Sequence, residues 1–136
     1  SLLGIVEQDI FLFEGTIASN IAYGKRGATP EEIEIAAEQA AAHEFISEFK
    51  DQYQTEIGER GVKLSGGQRQ RIAVMRVLCR PFEFLLLDEP FSHLDDSNVR
   101  AMATLIEEEI ERRGAGLILA SLAEESPFDD LQFLRL

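Results

Sequence analysis

Two short segments hold residues able to do chemistry together. The first is Leu64-Ser65-Gly66-Gly67-Gln68-Arg69-Gln70-Arg71, and the second, further along, is Leu85-Leu86-Leu87-Asp88-Glu89. Ser65 and Gln68 have capping-box spacing, which predicts a helix opening there and running to about Leu78. The first amides of a helix lack intrahelical partners and sit at the positive end of its dipole, so they attract phosphate oxygens. Gly66 and Gly67 carry no side chain to hold an anion away from them. Asp88 and Glu89 close an apolar run that reads as a strand, and ligands of open α/β sheets bind beyond the carboxyl ends of strands. Adjacent carboxylates there suit a hard divalent cation, which wants oxygen ligands, and a general base for hydrolysis.

Other elements must position these residues. Leu2 to Val6 reads as a buried strand, followed by a loop from Glu7 to Glu14. Thr16 caps a short helix through Tyr23, and Gly24 to Ala28 is a turn. Thr29-Pro30-Glu31-Glu32 is a second helix start, with Pro at the first helical position and a Thr-to-Glu capping box. Ile33, Ala36, Ala37 and Ala40 then share one helical face. A short helix is expected over Glu44 to Phe49, and a loop over 50–63. Pro81 ends the helix that opens at Ser65. Phe84 to Leu87 reads as a strand covered on both faces. Asp95-Asp96-Ser97 opens a third long helix with Val99, Met102, Ala103, Ile106 and Ile110 on one face, closed by Arg112-Arg113-Gly114. Leu117 to Ala120 reads as another buried strand and Phe133 to Leu136 as an edge strand. Helices first, then strand–helix–strand, describe an α/β core carrying a helical insertion.

The bulk numbers narrow the classes. A chain of 136 residues is the size of one domain. Its net charge of −12 argues against nucleic acid, whose phosphates are bound by clustered Lys and Arg. One cysteine, Cys79, excludes an internal disulfide and fits a reducing compartment. No apolar stretch approaches the roughly 20 residues that span a bilayer. The chain opens on a strand without Met and reads as a piece of a longer protein.

The string Leu64 to Arg71, followed by Asp88-Glu89, resembles the signature segment and Walker B strand of ATP-binding cassette (ABC) ATPases. Glu7-Gln8-Asp9 resembles the Q-loop, and Gln8 to Ile17 with Asn20-Ile21 resembles the exporter branch. Thr55-Glu56-Ile57-Gly58-Glu59-Arg60-Gly61 is similar to the exporter loop that lies against transmembrane coupling helices, and Ser92-His93-Leu94-Asp95 stands at the D-loop. The resemblance implies part of a P-loop NTPase fold: a helical subdomain plus a partial, mostly parallel sheet. It divides the chain into strand and Q-loop (1–15), helical signature subdomain (16–80), and Walker B, D-loop and distal α/β part (81–136). It implies MgATP as cofactor, with Ser65, Gly66, Gly67, Gln68 and Asp95 on nucleotide. Asp88 and Gln8 would serve Mg²⁺, and Glu89 and Gln8 catalysis. The implied partners are a second nucleotide-binding domain and transmembrane coupling helices, at the cytoplasmic face of a membrane.

Three departures accompany the resemblance. No Gly-x-x-x-x-Gly-Lys-Ser/Thr string exists; Ser19 to Arg26 holds Gly24-Lys25 but lacks the first glycine and the hydroxyl residue. The isolated chain is therefore expected to be inactive. Leu122 stands where the family has its switch histidine, which predicts impaired hydrolysis. From Cys79 onward the chain follows the exporter pattern less closely and suggests another ABC branch, through divergence or a join. Two other readings stand beside the transporter: a non-transporter ABC ATPase, and a catalytically silent interaction fragment. His93 reads as a tolerated loop substitution and His43 as a surface or boundary residue. Cys79 reads as a packed small side chain, and Glu107, Glu108, Glu109 and Glu111 as a solvated helix face.

Overall fold

A computed structural model describes residues 3–7, 11–59, 61–91, 94–122 and 126–128. In chain order the elements are β1 (Leu3–Val6), β2 (Gly15–Thr16), α1 (Ile17–Ala22), α2 (Pro30–Gln39), α3 (His43–Glu48), a 3-10 turn (Gln52–Gln54), β3 (Glu56–Ile57), α4 (Gly66–Leu78), β4 (Phe84–Asp88), α5 (Asp96–Arg113) and β5 (Gly116–Ala120). β1, β4 and β5 form a parallel sheet with β4 in the middle, and β2 pairs antiparallel with β3.

The helix starts follow the sequence. Thr16 Oγ1 accepts from Ser19 N–H at 3.0 Å, and Thr29 and Glu32 complete their capping box. Asp95 accepts from Asn98 N–H at 2.8 Å to open α5, which closes on Gly114 in the left-handed region at φ 62°. Ile33, Ala36, Ala37 and Ala40 are buried as expected. The expected Glu44–Phe49 helix begins one residue earlier, at His43. Residues 50–63 are not all loop, since they hold the 3-10 turn and β3. The pairing partner of β3 lies far back in the chain, and two residues are too few to show a period.

Strand burial departs from the sequence reading. Gly4, Val6, Leu85 and Leu87 point into the core, where α4 lies so close to β1 that a Cβ on Gly4 would come within 2.7 Å of Val77 Cγ1. Leu3 (47%), Ile5 (44%), Phe84 (47%) and Ile118 (50%) are exposed on the opposite face. The three strands expected to be buried are thus covered on one face among the described residues. Their continuous apolar pattern suits a sheet with layers on both sides.

The acidic run on α5 also needs correcting. Glu109 is buried rather than solvated, and its carboxylate pairs with Arg112 and Arg113. Arg113 donates to Leu78 O at 2.9 Å and Arg80 O at 3.0 Å and lies 4.6 Å from the Phe82 ring centroid. A buried carboxylate needs such partners, and here they lock the end of α5 to the connection between α4 and β4. Cys79 is buried, as expected, and burial pushes its thiol above the ordinary range. The expected 133–136 strand lies outside the described residues.

Candidate functional site

Ser65 caps α4 from an extended backbone. Its Oγ accepts from Gln68 N–H at 3.1 Å, while Gln68 Oε1 accepts from Ser65 N–H at 3.0 Å. This box orients the start of a thirteen-residue helix, whose first amides remain suited to an anion. Gly67 meets a protein neighbour: a Cβ there would come within 3.0 Å of Asn98 Oδ1. A side chain there would thus crowd the Asn98 side chain at the start of α5 as well as any anion.

Asp88 ends β4 as an exposed carboxylate, paired in register with Ala120 of β5. Glu89 follows with φ 41°, a region costly for a residue with a side chain. Two contacts to the β5 end hold it. Glu89 N–H donates to Ala120 O at 2.8 Å, and Leu122 N–H donates to Glu89 Oε1. The Leu122 side chain is 95% exposed, so this residue meets Glu89 through its backbone.

One residue missed in the sequence joins these two sites. Gln70, only 2% exposed, donates from Nε2 to Pro90 O at 2.7 Å, directly after Glu89. Within Gln68-Arg69-Gln70-Arg71 it reads as one more polar residue. Its helical phase was the available signal, because Val74 and Val77 share its face and both are buried. The start of α4 therefore touches the loop after β4 through Gln70 and the start of α5 through Gly67.

Further along α4, Arg76 gathers the segment that follows β1. It donates to Asn20 O at 2.8 Å, Asn20 Oδ1 at 2.8 Å and Phe11 O at 2.6 Å, and lies 5.4 Å from the Phe13 ring centroid. Desolvation lowers the Arg76 pKa from its usual value. Beside it is an open cavity of about 280 Å³, lined by Ile5, Glu7, Phe11, Tyr23 and Arg76 among others. The Thr55–Gly61 segment is anchored at one side: Glu59 N–H donates to Glu14 Oε1 at 2.6 Å, and Gly58 takes φ 115° against that carboxylate.

Ser65, Gly67 and Gln68 lie at the start of α4, which meets the start of α5, capped by Asp95, through Asn98, and Asp88 and Glu89 lie at the end of β4. Asp95 is spent at least partly on its own helix, accepting from Asn98 N–H and Nδ2. Gln8, Ser92, His93 and Arg60 lie outside the described residues.

The sequence profile described as "ABC transporter" matches residues 1–92, and the chain belongs to the ABC transporter family. It is an exporter-like nucleotide-binding sequence with no Walker A string, and its helices and small parallel sheet are part of a P-loop ABC domain. It is 57% identical over 95 residues to Multidrug resistance protein homolog 65 of Drosophila melanogaster, covering 70% of this chain and 7% of that protein. It is 46% identical over 121 residues to the heterocyst differentiation ATP-binding protein HepA of Nostoc, covering 89% of this chain and 19% of that protein. Among solved structures, a bacterial Atm1-family ABC exporter with ATP bound superimposes at TM-score 0.76 and 41% identity, over 88% of this chain and 21% of that one. The chain thus spans a small part of the relatives it matches. Among the described residues, no helix is long and apolar enough to cross a membrane.

Proposed function

We propose that this chain is the signature- and Walker B-bearing part of an ATP-binding cassette that, in an intact transporter, binds and hydrolyses MgATP to drive transport. The observation that carries this reading is the capped start of α4, with Gln70 bonded to the loop directly after Asp88-Glu89. The donor sets fit their ligands: amides at a helix start suit a phosphate, and exposed Asp88 suits a hard cation. When bound, ATP supplies the phosphoanhydride to be cleaved, and Mg²⁺ offsets the charge on its oxygens.

The residues then divide the work. Ser65, Gly66, Gly67 and Gln68 face the γ-phosphate held by a second nucleotide-binding domain, and Asp95 lies at that interface. Asp88 and Gln8 would hold the cation, and Glu89, aided by Gln8, would act as general base toward the attacking water. Residues 1–15 form the strand and Q-loop part, 16–80 the helical signature part and 81–136 the distal part. The apolar sheet face at Leu3, Ile5, Phe84 and Ile118 would be covered by the part of the cassette that carries the phosphate-binding loop. The Thr55–Gly61 segment faces the coupling helices of the transmembrane domains, at the cytoplasmic side.

Turnover by the intact transporter tests this directly. Glu89→Gln should abolish ATP hydrolysis while leaving ATP-driven dimerisation, and unchanged turnover would remove Glu89 from the mechanism. Leu122→His should speed hydrolysis, and equal rates would end the idea that Leu122 slows it. The 136-residue chain alone should not bind MgATP at micromolar concentration; if it does, it is not the incomplete site proposed.

A further inference from the structure

The helical part holds a second cluster of ligand-type side chains, built from α2, α3 and the 3-10 turn. Glu34 and Glu38 stand four apart on α2 and so share one exposed face. The turn through Ala41, at φ 52°, brings the chain back so that His43, the first residue of α3, lies beside them. One ligand atom from each of Glu34, Glu38 and His43 lies within 4.8 Å of the others. The imidazole is oriented on its far side, with His43 Nδ1 2.7 Å from Tyr53 Oη. Its Nε2 is left toward Glu34 Oε1 at 4.0 Å, with Ser47 Oγ at 3.4 Å.

We propose that Glu34, Glu38 and His43 form a zinc site, with Tyr53 as the residue that orients the histidine. Mixed imidazole and carboxylate ligands suit Zn²⁺, while Mg²⁺ and Ca²⁺ take oxygen ligands. Metal-binding histidines characteristically have their other ring nitrogen held by a hydrogen-bond partner, which is the place Tyr53 occupies. Zn–N and Zn–O bonds of about 2.0–2.2 Å require ligand atoms roughly 3.3–3.5 Å apart in a tetrahedron. The cluster must therefore contract by about 1.5 Å, a distance within reach of rotamer changes in two exposed glutamates. Three protein ligands leave the fourth position to water. In the tautomer with Nδ1 donating to the phenol, the Nε2 lone pair is directed toward Ser47 Oγ and Glu34 Oε1, where a cation could take it as a ligand. Its position, joining the end of α2 to the start of α3, makes the ion a clip across the outer edge of the helical part.

The test is calorimetric titration of the purified 136-residue chain with Zn²⁺, without chelating buffer, beside Mg²⁺ and Ca²⁺. The expected result is one equivalent of Zn²⁺ bound at micromolar concentration, with no displacement by millimolar Mg²⁺. His43→Ala and the double variant Glu34→Gln/Glu38→Gln should each weaken binding at least tenfold. Glu44→Gln removes an acidic charge on α3 without removing a ligand and should bind Zn²⁺ as the parent does. Tyr53→Phe should bind several-fold more weakly. Zn²⁺ should raise the melting temperature of the parent and of Glu44→Gln fully, that of Tyr53→Phe less, and those of the two ligand-removing variants least, and circular dichroism of the apo variants confirms that each is folded. Absence of micromolar binding by the parent overturns the site. So does binding that the two ligand-removing variants leave unchanged, which would place the ion elsewhere.

Discussion

The helical part of the chain and its sheet are built to different degrees of closure. From Gly15 to Arg80 the helices α1, α2 and α4 start on side-chain caps, and Ile17, Ile21, Ile46, Ile57, Ile72 and Met75 are fully buried. The parallel sheet has the same close packing on the face beneath α4 and an apolar, exposed opposite face. Closure differs because a helix can satisfy its ends with local side chains, whereas a parallel sheet depends on layers laid down on both sides. The candidate phosphate-binding segment sits on the closed half and the acidic pair at the end of the open one.

Substitutions at matched apolar positions break this comparison most strongly. Ile72→Ala, in the closed half, should cost about 2–5 kcal/mol of unfolding free energy, because a buried side chain is lost and a cavity remains. Ile118→Thr, on the bare face, should stay within about 0.5 kcal/mol of the parent and raise solubility. Urea melts of the two variants compare the halves directly. Equal losses would mean that the exposed face is covered in solution.

The bridge between the halves comes next. Gln70→Leu leaves the buried Pro90 carbonyl without its donor and should cost about 1–3 kcal/mol. Amide exchange should then accelerate at Glu89 and Leu122 and remain unchanged in α2. Ser65→Ala removes only a cap and should cost roughly 1 kcal/mol, read as fraying of the first turn of α4.

The last effect is electrostatic and confined to the helical part. Burial, then the charges of Glu34 and Glu38, push the Tyr53 phenol up to about 12 from its usual 10. A proton held more tightly in the folded state adds stability that is fully present below the unfolded value near 10. That stability is lost as pH rises toward 12. Ultraviolet titration of tyrosine ionisation in the parent and in Tyr53→Phe isolates the Tyr53 transition in the folded chain.

What the sequence reveals follows the same division. Caps and helix faces are local, so Thr29, Ser65 and Asp95 disclose their roles through spacing alone. Asp88 and Glu89 are legible as a strand end, but the positive φ of Glu89 is not, since nothing in its residue type requires it. Strand burial is not legible, because a continuous apolar run does not tell how many layers cover it. Glu109 was misread because it sits in an acidic run, although Arg112 and Arg113 at helical spacing were the hint. Gln70 and the β2–β3 pair depend on contacts between distant segments, and composition carries no record of those.

Among the described residues, α4 is fastened by Gln70 to Pro90 and Arg71 to Asn98 in its first half, and by Arg76 to Asn20 and Phe11 and Leu78 to Arg113 near its end. A rod pinned at one end can swing. Tied at both ends, α4 should act as a strut. A displacement at Phe11 or Asn20 should then be felt at the loop beyond Glu89, which amide exchange at Glu89 in an Arg76→Ala variant would read.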